Sequence, residues 1–292
     1  GEWWAYEIWF SLFALLSSLS TYLVLREWND HLAFIAAALL LLSPFLIVDS
    51  TLGVQDEPIV AFLFIFPVLL FLRGNLKGAT AGVILGFWTK FLSIILYPIM
   101  FIKLSDRKQR LRHIGLATLI SLVVALPFLA ICPIEFLQFP TYYMLITTAA
   151  LIASYWHCWR RKLDVWRSCL VVTVAFLCIY PMIRLSYFVI PFSFLVVWAA
   201  EDRRVLLRIL GMYIPLSVAQ ALEFTINDGT VSAPFAWIGL ATLLVGLAIL
   251  VDATRIALRN DCFLDRPRAG AAPLFRTAPS MVTSGTATQD VK

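Results

Sequence analysis

Apolar stretches of about 20 residues, the length that crosses a bilayer core of roughly 30 Å, follow one another along most of this chain. Few folds accept that pattern. A soluble domain carries about 45–50% apolar and about 25% charged residues, whereas this chain of 292 residues is 61% hydrophobic and 14% charged. Too little polar surface remains to cover a water-facing globule. The pattern therefore predicts a polytopic membrane protein and excludes a soluble enzyme, a secreted disulfide scaffold and a nucleic-acid binder. The formal charge of +5 does not point to nucleic acid, because the Lys and Arg residues sit in short loops, as the positive-inside rule requires. Cys132, Cys158, Cys169, Cys178 and Cys262 form no CxxC pair and read as buried or unpaired thiols rather than a metal site or disulfide frame.

Apolar runs bounded by charged or turn-forming loops predict spans near 8–25, 32–48, 58–72, 114–131, 141–156, 169–180, 186–200, 207–226 and 235–251. This is an all-α, polytopic transmembrane helical bundle of about nine spans. The spans either side of Tyr180-Pro181 are short and predict helices that tilt, bend or stop part-way. Trp3, Trp4 and Tyr6 read as an interfacial aromatic belt leading directly into a span from Gly1. No signal peptide stands ahead of them, as expected of an N-terminally truncated chain. Lys103, Arg107, Lys108, Arg110 and Arg112 fill one loop, Arg160, Arg161, Lys162 and Arg167 a second, and Arg203, Arg204 and Arg208 a third. These loops are expected to be cytoplasmic. The alternate loops carry Asp49, Asp56 and Glu57, then Glu135, then Asp228, and face the other side, with Arg184 their one conspicuous cation. Residues 1–251 form the transmembrane domain. Within 252–292, Arg255 to Asp265 read as a cytoplasmic end-cap and 266–292 as a disordered tail.

The segment 78–102 breaks the alternation. Arg73 and Lys77 precede it and Lys103 to Arg112 follow it, so both of its ends belong on the cytoplasmic side. One straight span cannot do that. A re-entrant hairpin of two half-helices, each about 12 residues and so ~18 Å long, would enter the bilayer without crossing it. Its turn would fall near Trp88-Thr89-Lys90, where irregular backbone must be buried in protein or line a wet cavity. The competing reading is one ordinary span with a neighbouring short span miscounted.

Ionisable residues within spans cost several kcal/mol on insertion scales and need a partner or a role. Lys90 lies mid-segment between Gly86-Phe87-Trp88-Thr89 and Phe91. It reads as a cation held for an anionic group such as a lipid phosphate, or as a lysine that snorkels or pairs with an internal carboxylate. Gly53-Val54-Gln55-Asp56-Glu57-Pro58 is a tight non-cytoplasmic turn. Pro58 suits the first helical turn and the acids suit the positive end of the helix dipole, a complete structural account. The functional account is that one carboxylate handles a proton, a metal or a sugar hydroxyl. Asp49 reads as an interface residue.

In Tyr180-Pro181-Met182-Ile183-Arg184-Leu185-Ser186-Tyr187, Pro181 breaks the helix, and Arg184 and Tyr187 lie three apart on whatever helix restarts. The Arg fork suits phosphate, and the same pair suits a plain headgroup anchor. Glu223 is a weaker candidate. His31, His113 and His157 border cytoplasmic ends without helical pairing and do not point to a metal site.

The order Ser43-Pro44-Phe45-Leu46-Ile47, Ser50, Gly53-Val54-Gln55-Asp56, a long apolar span, Ala81-Gly82-Val83-Ile84-Leu85-Gly86, Lys90 and Tyr97-Pro98 resembles the GT-C class of membrane glycosyltransferases. Within that class it resembles polyprenol-phosphate-mannose-dependent mannosyltransferases and the catalytic subunit of GPI mannosyltransferase I in particular. Arg184-Leu185-Ser186-Tyr187 resembles the Arg-Tyr stretch that often opens a late span there. The match covers about a fifth of the chain. It implies inverting transfer of a sugar from a polyprenyl-phosphate donor to a lipid, glycan or protein acceptor on the non-cytoplasmic side. The membrane would be the plasma membrane in a prokaryote or the endoplasmic reticulum in a eukaryote.

The resemblance also implies a general base in a large outer loop after the first span. No such loop occurs here, so the catalytic Asp is expected upstream of residue 1 and no catalytic residue is assigned within the chain. Gln55, Asp56 and Glu57 are the substrate-binding candidates; Lys90, Arg184 and Tyr187 are the lipid-phosphate candidates. Opposing cations would serve the leaving phosphate, and a carboxylate of suitable pKa the attacking hydroxyl. Asp56, with Glu57 as the alternative, could hold a sugar or a divalent cation. Broken helices with isolated charges equally mark a transporter or flippase of an amphiphilic substrate; a non-catalytic subunit of a membrane complex is the third reading.

Overall fold

A computed structural model of the chain describes residues 3–51, 56–131, 143–180, 185–227 and 234–266. All described regular structure is helical. In order the helices are α1 (Trp3–Leu25), α2 (Asp30–Leu41), α3 (Pro44–Thr51), α4 (Glu57–Leu72), α5 (Leu76–Thr89), α6 (Tyr97–Lys103), α7 (Arg107–Ile131), α8 (Tyr143–Arg160), α9 (Val165–Ile179), α10 (Val189–Ala199), α11 (Arg203–Asn227) and α12 (Pro234–Arg259). Short 3-10 turns occupy Phe91–Leu96, Leu185–Phe188 and Phe263–Asp265. Three helices, the segments Trp3–Leu25, Arg107–Pro127 and Trp237–Asp265, are long and apolar enough to cross a membrane.

Two expected boundaries are corrected. The run 32–48 is not one helix: it breaks at Leu42 and Ser43 because Pro44 disfavours helical geometry in the residue before it and opens α3 instead. The last span does not stop at 251, since α12 continues to Arg259. Asp252 there pairs with Arg208 of α11, and Gly246 lets the two helices close to a separation that brings Leu216 onto it.

Close packing of small residues joins α1 to α2. Ala14, Ser17, Ser18 and Thr21 face Ala33, Ala36 and Ala37, and Ser18 Oγ donates to the Ala37 carbonyl at 2.7 Å. Ser17 and Thr21 return their hydroxyls to their own helix. Helices that pack without a hydrophobic driving force use such small and hydroxylated seams. On α7 the inward face is Ala117, Ser121 and Ala125, whereas Leu119, Leu122, Val123 and Leu126 form an exposed apolar stripe at helical spacing.

One end of the bundle is laced by polar side chains. Arg73 donates to Glu27 at 2.7 Å and to the Leu23 carbonyl at 2.9 Å, and Lys103 donates to the Leu163 carbonyl. Asn29, Asn75 and Asp164 cap α2, α5 and α9 at this end by accepting from Leu32, Gly78 and Arg167 backbone N–H groups. The turn from α4 to α5 requires Gly74, whose φ of 77° lies in the left-handed region. Gly74 and Asn75 N–H groups donate to the Phe71 and Leu70 carbonyls, which closes α4 in a Schellman arrangement.

From that turn the chain runs outward along α5 and doubles back at Lys90. Thr80 and Trp88 of α5 bond His113 and Ser121 of α7, eight residues apart on both helices, so α5 and α7 run parallel. Tyr97, at the start of α6, stacks on the same His113 ring at 4.3 Å between centroids and 11° between planes. Thr80 on the outgoing limb and Tyr97 on the returning limb therefore stand at one height. The limbs are unequal in kind: 14 residues of α-helix go out, and a 3-10 turn followed by the short α6 returns.

Candidate functional site

The bend between the limbs is where the charged residues meet. Lys90 terminates α5 in extended geometry, φ −150° and ψ 118°, with its N–H held by the Gly86 carbonyl at 2.8 Å. Gly86 makes the bend tight. A Cβ there would lie 2.7 Å from Ser93 Oγ and 3.2 Å from Leu63 Cβ, so a side chain would push the returning limb away. One turn earlier, Gly82 receives the ring of Pro67, which seats α5 on α4. The Ala81–Gly86 run thus contributes close approach, and that approach delivers Lys90 to the start of α4.

Lys90 Nζ donates to Asp56 Oδ1 at 2.9 Å and to Glu57 Oε1 at 3.0 Å. It also lies 5.2 Å from the centroid of the Tyr187 ring, a cation–π distance. Tyr187 in turn neighbours Tyr180 at 6.4 Å between centroids. Three separated pieces of sequence therefore converge on one ammonium. Between the expected readings of Lys90, the contacts are those of a lysine paired with internal carboxylates.

The two acids differ in setting. Glu57 is 1% exposed and its second oxygen, Oε2, is buried without a protein partner. An unmade bond of that kind costs about 1–3 kcal/mol. Asp56 is 49% exposed and forms the accessible edge of the cluster. It stands at the N-cap position of α4, yet its side chain makes no capping bond and turns to Lys90 instead. Simple capping therefore does not account for Asp56, although Glu57 and Pro58 do occupy the first turn as expected.

Depth follows from register. α1 and α4 run parallel, with Phe13 on Phe62 at 5.7 Å and Arg73 against Leu23 and Glu27. Glu57 lies five residues before Phe62, level with residue 8 of α1, and so roughly 7 Å inside the start of that helix at Trp3. The cluster is recessed at the end of the bundle away from the basic loops.

The formal charges of Asp56, Glu57 and Lys90 sum to −1. An incoming phosphate meets a lysine already engaged by two carboxylates and must displace one. Hydroxyl donors meet no such competition at Asp56. Lys90 engages one oxygen of each carboxylate, and no group of three or more His, Cys, Asp or Glu assembles among the described residues.

Of the other candidates, Gln55 and Arg184 lie outside the described residues, as do Cys132 and the side chains of Asp49 and Glu223. Cys158, Cys169 and Cys262 are buried free thiols and Cys178 is an exposed one. His113 had no readable partner in the sequence. It proves to be buried where α7 meets both limbs of the hairpin, with its Nδ1 hydrogen-bonded to the Thr80 hydroxyl at 2.5 Å. No family model, no curated protein and no solved structure matches the chain.

Proposed function

We propose that this chain is a multi-pass membrane glycosyltransferase of the GT-C type. It would transfer a hexosyl group, mannosyl in the first instance, from a polyprenyl-phosphate sugar to a lipid, glycan or protein acceptor. The observation that carries the reading is convergence. Asp56, the Gly-rich half-helix ending in Lys90 and Tyr187 are among the pieces on which the family resemblance rests, and they meet within one side chain's reach. In this reading Lys90 orients the carboxylates in the resting site and turns to the donor phosphate when it arrives, with Arg184 as the second cation. Asp56, the exposed acid, meets a sugar hydroxyl.

Transfer is expected to fail in Asp56→Asn and in Glu57→Gln while expression and melting temperature stay near wild type for Asp56→Asn. The assay is incorporation of labelled mannose from polyprenyl-phosphate mannose in membranes containing the full-length protein. Activity retained in both variants would leave this turn a structural feature.

A transporter or flippase is the second reading, and the net −1 cluster with the orphaned Glu57 Oε2 at a helix break favours it. Substrate uptake into proteoliposomes without sugar transfer would select it.

Orientation is the third expected result. The loops at 103–113 and 157–168 and the tail are expected on the cytoplasmic side, and 49–57 and 227–234 on the other. In a Cys-less background, an impermeant thiol reagent applied from outside should label a cysteine at position 52 and spare one at 108. The reverse pattern would overturn the topology.

A further inference from the structure

At the basic end, far from Lys90, α7 and α8 stand apart and leave a groove of about 360 Å³ floored by α6. We propose that this groove binds an anionic phospholipid from the leaflet that faces the basic loops. The proposal rests on the membrane reading above and is independent of the sugar-transfer reading.

The walls are amphipathic in the order a lipid needs. Arg110 enters from α7, and Phe101 from α6 lies beneath it, with its ring centroid 5.6 Å from the guanidinium carbon. Arg110 Nε donates to the Leu104 carbonyl at 2.7 Å, which fixes the fork, and its two terminal nitrogens have no partner among the described residues. A fixed guanidinium with free donors suits a phosphate diester. From α8 come Ile152, Tyr155, Trp156 and Trp159. The Tyr155 hydroxyl is spent on the Ile95 carbonyl at 2.9 Å, so this residue presents only its ring to the groove.

Trp156 and Trp159 are 58% and 56% exposed and lie with centroids 5.0 Å apart and planes tilted by 49°, and such exposed indoles suit a headgroup boundary. Exposed Leu111 and Ile114 of α7 and Ile152 of α8 continue the apolar surface away from the basic end, where acyl chains would lie.

Charge complementarity selects the anionic class. Exposed Arg107 and Lys108 precede Arg110 on α7, and exposed Arg160, Arg161 and Lys162 follow α8. Among the described residues no carboxylate lines the groove; nearby Asp106 accepts from the Lys108 N–H at Oδ1, 3.0 Å. Basic pockets of this kind between membrane helices favour anionic headgroups, and each nearby cation adds on the order of 1 kcal/mol of attraction to an anionic surface.

The test is lipid retention by the purified full-length protein, measured by native mass spectrometry after exchange against phosphatidylglycerol or phosphatidylcholine. Wild type should retain phosphatidylglycerol selectively. Arg110→Gln should reduce that retention about tenfold, the scale of one lost charge-assisted bond, whereas Arg112→Gln, outside the groove lining, should change it little. Ile152→Trp fills the groove without altering charge and should also reduce retention, which covers the case of an unstable Arg110 variant. Equal losses in the Arg110 and Arg112 variants, no preference between the lipids, or displacement by inorganic phosphate alone would each overturn the site. Failure of the membrane reading would be seen separately, as protein released by an alkaline carbonate wash.

Discussion

Replacing Lys90 with Gln is expected to destabilise the protein by about 3–5 kcal/mol. Removing one partner of a buried ion pair strands the other charge and costs about 3–5 kcal/mol, and the half-exposed Asp56 arm contributes only the ~0–1 kcal/mol of a solvated pair. The stranded group is Glu57, 1% exposed and already short of a partner for Oε2. Glu57→Gln in the same background should therefore recover most of the loss, and Asp56→Asn little of it. A double-mutant cycle read by thermal unfolding measures the coupling. A casual snorkelling lysine predicts the opposite sign, equal or greater stability once no charge remains to be desolvated. Wild-type stability in Lys90→Gln would mean that the ion pair does not hold the bend. The repaired double variant separates the functional question from the structural one. If Lys90 serves the donor phosphate, Lys90→Gln with Glu57→Gln should bind polyprenyl-phosphate mannose more weakly despite its recovered stability. Unchanged affinity there would sink the phosphate role and leave Lys90 as the organiser of two carboxylates.

The doubling-back at Lys90 was legible because it follows from a conflict between charges. Basic residues on both flanks of 78–102 demand one side for both ends, and Gly86 stands where the limbs must approach. The break before Pro44 was equally visible in the local chemistry, yet the unbroken apolarity of 32–48 concealed it, since hydropathy records composition and not backbone geometry. The partners of Lys90 were a different matter. Asp56 and Glu57 precede it by 34 and 33 residues, and a lone cation reads identically whether it awaits a phosphate or is already paired. His113 illustrates the same limit. Its contacts come from Thr80 and Tyr97 on opposite limbs, so they exist only once the chain has turned back at Lys90. Long-range pairing is set by topology, and the topology here depends on a single bend.

Arg167→Ala is expected to produce the second large effect, at the other end of the molecule and without touching the proposed site. Arg167 is 14% exposed and fastens the start of α9 to the end of α12. Its Nη1 donates to Asp164 Oδ2 and Asp265 Oδ1, both at 2.7 Å, and its Nη2 donates to Asp265 Oδ2 at 2.8 Å and the Asn260 carbonyl at 3.2 Å. The guanidinium carbon lies 5.5 Å from the Trp198 ring centroid, and Trp198 Nε1 donates to the same Asn260 carbonyl at 3.1 Å. The fork therefore ties α9, the end of α10 and the turn after α12 together, with Asn260 Nδ2 extending the network to Asp202 at 2.6 Å. Truncation removes a bidentate pair and the cation over the indole but leaves Asp164 and Asp265 39% and 30% exposed, so the cost should be about 2–4 kcal/mol rather than that of fully buried charges. Arg167→Lys should recover less than half, because an ammonium cannot engage both oxygens of Asp265 in a planar fork. The 3-10 turn at Phe263–Asp265 should loosen first, so trypsin should cleave after Arg259 faster in the Ala variant while impermeant labelling at position 52 stays unchanged. Unfolding and cleavage rates equal to wild type would show that α12 is anchored by its apolar contacts with α11 and α9 alone.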